Sequence, residues 1–78
     1  MKTYYTLIGI DPSSNTGNYD IVFGDFSRAV VEDEKQDEKD SGSYQYLRII
    51  CTSSNQNDID AKVAEINING RNRQQGVN

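Results

Sequence analysis

The chain has 78 residues, with 12 acidic and 8 basic side chains, no histidine and one cysteine, for a net charge of -4. That length supports one domain with a small core, and the acidic balance argues against direct binding to nucleic acid, which is driven by Lys and Arg neutralising phosphates. Without histidine the usual neutral-pH base and commonest metal ligand are missing, and one cysteine makes neither an internal disulfide nor a zinc site.

Hydrophobic residues are 35% of the chain and mean hydropathy is -0.77, both low for a folded protein. The apolar residues nevertheless come in runs, as they do in chains that build a core. Thr3 to Ile10 is rich in β-branched and aromatic residues and reads as a first strand, stopped by Asp11-Pro12. Ser13 to Asn18 is composed of turn-forming residues and leads into a second strand, Tyr19 to Phe23, so the two strands form a hairpin with a long tip.

Gly24-Asp25 then opens a helix from Phe26, with Asp25 as its cap and Ser41-Gly42-Ser43 as its end. Phe26, Ala29 and Val30 share one face, which is the expected core face. Three- and four-residue steps carry that stripe into Asp33 and Asp37, whereas steps from Val30 and Val31 lead to Glu34 and Glu38. Residues 32–40 hold six acids and two lysines, the whole charge imbalance of the chain. Like-charge pairs at Asp33 with Asp37 and at Glu34 with Glu38 each cost roughly 0.2 to 0.5 kcal/mol. The plain reading of this run is a solvated helix end that keeps the chain soluble. The sharper one is an acidic surface, with Asp33, Asp37 and Asp40 in a row that a Lys- or Arg-lined groove would accept as it accepts nucleic acid.

Tyr44 to Thr52 reads as a third strand. After a Ser-Ser-Asn-Gln turn, Asn57 or Asp58 caps a second helix with Ile59, Val63 and Ile66 on its buried face, ended by Asn69-Gly70. The expected fold is α+β, ββαβα, a three-stranded mixed sheet with two helices on one face. The expected organisation is a single compact domain over 1–70 and a flexible tail over 71–78, whose arginines fold back loosely on the acidic helix. The crossover through the first helix makes strands two and three parallel. The second sheet face, carrying some of Tyr4, Thr6, Ile8, Val22, Tyr46, Arg48 and Ile50, would then be open to a partner or to a second copy of the chain.

Catalytic equipment is sparse. Cys51 sits in an apolar strand with nothing to activate it and is expected to be a buried structural thiol. The clustered carboxylates lack the two distinct environments that acid and base roles require, and a helix does not wrap magnesium or calcium as a loop does. Asp11, Ser13 and Asn15 begin like a calcium loop, but Gly17 is misplaced and Val22 stands where the closing Glu belongs. No enzyme activity, cofactor or metal is expected. A metal-dependent hydrolase is the weakest of the alternatives. The apolar run after Met1 and Lys2 is too short and too tyrosine-rich for a signal peptide, so a cytoplasmic protein without membrane contact is expected.

The runs Tyr4-Tyr5-Thr6-Leu7-Ile8, Phe23-Gly24-Asp25, Val30-Val31-Glu32-Asp33-Glu34 and Leu47-Arg48-Ile49-Ile50, with Ile59-Asp60 beyond, resemble those of small acidic proteins of unassigned function encoded by bacteriophages and prophages. The resemblance spans most of residues 3–67, rests on structural motifs and carries no catalytic residues over. It implies, by class, an anti-CRISPR or other anti-defence inhibitor acting in the host cell cytoplasm on a protein with a basic surface, such as a CRISPR effector complex. The candidate partner-binding residues are Glu32, Asp33, Glu34, Asp37, Glu38, Asp40, Tyr46 and Arg48. The alternative is a small structural or regulatory module that homodimerises or binds a partner through the open sheet face.

Overall fold

The central strand of the sheet is the first one in the chain. In the computed structural model, which describes residues 2–77 with side chains through Asn69, β1 (Tyr4–Ile10) lies between β2 (Tyr19–Asp25) and β3 (Gln45–Thr52), in the order β2-β1-β3. Helix α1 (Arg28–Ser41) connects β2 to β3, and α2 (Gln56–Val77) follows β3. The fold is α+β with the element order ββαβα, as expected. Its pairing differs: β1 is antiparallel to both neighbours. Strands β2 and β3 therefore run the same way, as the crossover requires, but β1 separates them and no parallel ladder forms.

Both faces of β1 are sealed. Leu7 and Ile8 point to opposite sides of the sheet, and each is 0% exposed. Ile8 clusters with Ile50 of β3 and Val63 of α2, with Tyr19 and Ile66 packed around them, so α2 covers this side. Leu7 needs a second cover. It comes from α1, which touches all three strands and buries Val31 completely. The expectation of two helices on one face is thus corrected to one helix on each. Thr6, Ile8 and Ile50, expected on an open face, lie in the core.

Helix α2 follows its sequence pattern. The Asn55 side chain accepts the Asn57 N–H at 2.8 Å and its carbonyl accepts the N–H groups of Asp58 and Ile59, so the cap falls two to three residues before Asn57 or Asp58. Ile59 and Val63 are buried and Ile66 half-buried, one face at the expected spacing. Asn67 then ties the helix to the start of β2: its Oδ1 accepts the Tyr19 N–H at 2.8 Å and its Nδ2 donates to the Tyr19 carbonyl at 3.4 Å. The backbone stays helical through Gly70 to Val77, past the expected stop at Asn69-Gly70. A tail mobile over 71–78, with its arginines folded onto α1, concerns side chains outside the described residues.

Two irregularities shape the edges. Between β1 and β2 the register steps from Leu7↔Phe23 to Ile8↔Ile21, leaving Val22 as a bulge. Between β1 and β3 it shifts between Ile8 and Ile10, and there Tyr46 takes a φ of 55°, unusual for a residue with a side chain. Cys51, expected to be buried, is exposed. It pairs with Tyr5 near the end of an edge strand, beyond the covered centre of the sheet.

Candidate functional site: the outer face of helix α1

The helix begins two residues later than expected, at Arg28. Asp25 does not cap it; the Asp25 Oδ1 accepts the Ser27 N–H at 2.7 Å, and Ser27 is the N-cap, its side chain accepting the Val30 N–H at 3.4 Å. The end is as expected: Gly42 adopts a φ of 73°, which glycine takes without strain, and donates its N–H to the Glu38 carbonyl.

Between these caps the helix is rotated relative to the expected core face. Val31 is its buried residue, and Glu34, Lys35 and Glu38, three, four and seven positions on, are half-buried beside it. Ala29 and Val30 face outward, with Val30 43% exposed, while Phe26, which precedes the N-cap, is 49% exposed beside Tyr4. Charge explains the choice. Turning Val30 inward would carry Asp33 and Asp37, which follow it on the same stripe, toward the sheet. Short aspartates cannot reach water from there, whereas the longer Glu and Lys side chains of the actual inner stripe run along the protein and leave their heads near solvent.

Asp33, Asp37 and Asp40 thereby stand exposed on one stripe, within about 60° of arc at 100° per residue. Among the described residues the one ion pair is Arg28–Glu32, at 3.8 Å on the flank of the helix. The aspartates are therefore not neutralised by lysines or arginines of the described chain; Asp40 accepts a hydrogen bond from Gln36 at 3.0 Å. Glu34 behaves differently. Loss of hydration holds its carboxyl above the ordinary value, reinforced by a hydrogen bond with Glu38 and by the charges of Glu38 and Asp37.

The eight candidate residues thus fall into separate places. Asp33, Asp37 and Asp40 form the outer row, Glu32 is paired at the side, and Glu34 and Glu38 lie on the inner stripe. Tyr46 and Arg48 are exposed on the β3 edge; Arg48 pairs with Ile8 and shares its face, opposite α1, so they do not join the acidic surface. The open sheet face of the alternative reading is occupied by α2. Spacing alone puts Phe26 and Val30 in the core; the sequence signal against it is the run of aspartates that continues the Val30 stripe.

Phe26 is held by its neighbour. Its ring meets that of Tyr4 edge to face, centroids 5.0 Å apart and planes at 81°. Tyr4 in turn lies over Gly24, where an added Cβ would come within 2.5 to 2.9 Å of the Tyr4 ring and hydroxyl. A shallow depression beside it is lined by Lys2, Thr3, Tyr5, Asp25, Phe26 and Ser27. Among the described residues no group of three or more carboxylate or thiol side chains is arranged to hold a metal ion, and no helix is long and apolar enough to cross a membrane. Comparison with protein-family models, with curated proteins and with solved structures finds no match to this chain.

Proposed function

We propose that the chain is a non-enzymatic inhibitor that presents the outer face of α1 to a basic nucleic-acid-binding surface of a host defence complex, in the manner of an anti-CRISPR protein. The observation that carries this reading is the exposed row Asp33, Asp37 and Asp40, unpaired with any lysine or arginine among the described residues. A groove built to neutralise phosphates gains charge-assisted contacts from such a row, and a stoichiometric blocker needs no catalytic group. The chain's lack of histidine agrees with that. The resemblance to small acidic phage proteins supports the class of partner and a cytoplasmic site of action.

The test uses a purified CRISPR effector complex loaded with guide RNA. Wild-type protein is expected to compete with labelled target DNA, less well as salt rises, and the Asp33→Lys, Asp37→Lys, Asp40→Lys triple variant is expected to lose competition. Competition by the triple variant equal to that of wild type removes the acidic row from the mechanism. No competition by wild type at low salt removes this class of partner.

A further inference from the structure

An open sheet has two outer edges, and each presents backbone N–H and C=O groups that a further strand can take up. The two edges of this sheet are finished differently. At β2 the N–H and C=O of Tyr19 both bond the Asn67 side-chain amide, which fills the first rung as a neighbouring peptide would. The same strand carries Asp20 and Asp25. At β3 no side chain among the described residues bonds the backbone, and the outer side of the strand is unpaired. Residues 41–57, which include β3, hold no acid and a single base, Arg48.

The pairing fixes which β3 groups point outward. Tyr19 turns its N–H and C=O away from β1, so Ile10, opposite it, turns its own toward β3. The extra residues at both irregularities lie on β2 and β3, so β1 alternates without interruption. Ile8 and Thr6 therefore also bond toward β3, and their partners Arg48 and Ile50 bond inward. That leaves Leu47, Ile49 and Cys51 with outward N–H and C=O groups. Tyr46, at a φ of 55°, ends this regular edge.

We infer that the outer edge of β3 is a dimerisation edge, where a second copy of the chain pairs antiparallel about a twofold axis through Ile49. In this register Ile49 faces its own counterpart and Leu47 faces Cys51 of the partner subunit. All the outward groups then lie in hydrogen-bonded pairs, about six bonds in total. Charge selects the occupant: copies at net charge -4 repel wherever their acids meet, and β3 brings none together. Each Arg48 faces Ile50 of the partner subunit instead of the other arginine. The sheet becomes continuous in the order β2-β1-β3-β3-β1-β2. Both α1 helices fall on one side of it, three strand spacings or about 14 Å apart, which exceeds a helix diameter and the screening length of about 8 Å at 0.15 M. Growth stops at two copies because both remaining edges are β2. None of this depends on α1 being a binding helix.

Sedimentation of the intact protein from micromolar to millimolar concentration is the first test. Wild type is expected to pass from monomer to dimer without larger species, and the dimer to tighten modestly as salt screens the repulsion between copies. Cys51→Pro removes an outward N–H and leaves the inner ladder intact, so it is expected to keep the wild-type circular dichroism spectrum and to weaken the dimer about tenfold. Leu47→Cys is expected to give a disulfide-linked dimer through Cys51 of the partner subunit on mild oxidation, since opposed Cα atoms in a hydrogen-bonded pair lie about 5.5 Å apart. Wild type, and Leu47→Cys combined with Cys51→Ser, are expected to give none. Amide exchange in the wild-type dimer should slow at Leu47, Ile49 and Cys51; this readout stands even if Leu47→Cys, whose side chain lies over Gly9, does not fold. A wild type that stays monomeric at millimolar concentration, a dimer that Cys51→Pro leaves unchanged, or protection confined to segments other than β3 overturns the inference.

Discussion

Helices α1 and α2 cover opposite faces of the same three strands by different means. Helix α2 sets Ile59, Val63 and Ile66 on its inner side, against Ile8 and Ile50, and locks to β2 through both polar atoms of the Asn67 amide. Helix α1 buries Val31 alone, and the rest of its inner side is Glu34, Lys35 and Glu38. Helix α2 turns Ile59, Val63 and Ile66 to the core and leaves Ile68 exposed, whereas α1 buries one of its three apolar residues. In a chain this small every buried side chain counts toward a margin of only several kcal/mol. Helix α1 keeps Ala29 and Val30 in water and contributes correspondingly less to the core than α2.

Substitutions on the two faces test that division. Ile8→Ala opens a cavity under α2 and should cost about 2–5 kcal/mol in urea unfolding, against about 2 kcal/mol for Val31→Ala under α1. Equal losses would mean that α1 bears as much of the fold as α2. Asn67→Ala strips both partners from the Tyr19 backbone and should cost about 1–3 kcal/mol, with amide exchange rising first at the start of β2. Unchanged exchange there would break the picture of α2 as a clamp. Thr6→Val should act in the opposite direction: the Thr6 Oγ1 is buried without a hydrogen-bond partner among the described residues, and a methyl group of similar shape should add about 1 kcal/mol.

The smallest effect concerns pH. The folded Glu34 carboxyl sits above its ordinary value, so in the window between the unfolded and folded values the folded state binds more protons. Stability from this group therefore rises as pH falls through that window and is lost as pH rises through it. Asp11 has the opposite sign. Hydrogen bonds from the Ser13 backbone and hydroxyl hold its carboxyl below the ordinary value, so its contribution disappears as pH falls through that lower range. Glu34→Gln should flatten the part of the unfolding profile above the ordinary glutamate range and leave the Asp11 part; a profile unchanged by Glu34→Gln would remove the raised Glu34 carboxyl as its cause.

The elements of the fold were legible in the residues. Three apolar runs became three strands, Ile59, Val63 and Ile66 became one buried face, and Gly42 became a left-handed cap. Strand order was harder, because both neighbours of β1 satisfy the hairpin and the crossover, and sequential spacing says nothing about which strand takes the centre. The rotation of α1 was harder still. Its two stripes, one from Val30 and one from Val31, are both apolar at the start and charged afterwards. They differ in whether the charges that follow are short aspartates or longer glutamates and lysine. The row Asp33, Asp37 and Asp40 could be drawn from spacing alone, whereas the open sheet face expected to carry Tyr46 and Arg48 is covered by α2, which the spacing of Ile59, Val63 and Ile66 does not by itself assign to one face or the other.

Gly24 has a consequence for how this protein tolerates change. It is a scaffold position inside β2, yet the absence of a side chain there is what allows Tyr4 to lie flat and brace Phe26. Even an alanine would lift the tyrosine and, with it, the Phe26 ring that packs on it. Drift in the framework at this point would be felt first in the contact between the two rings.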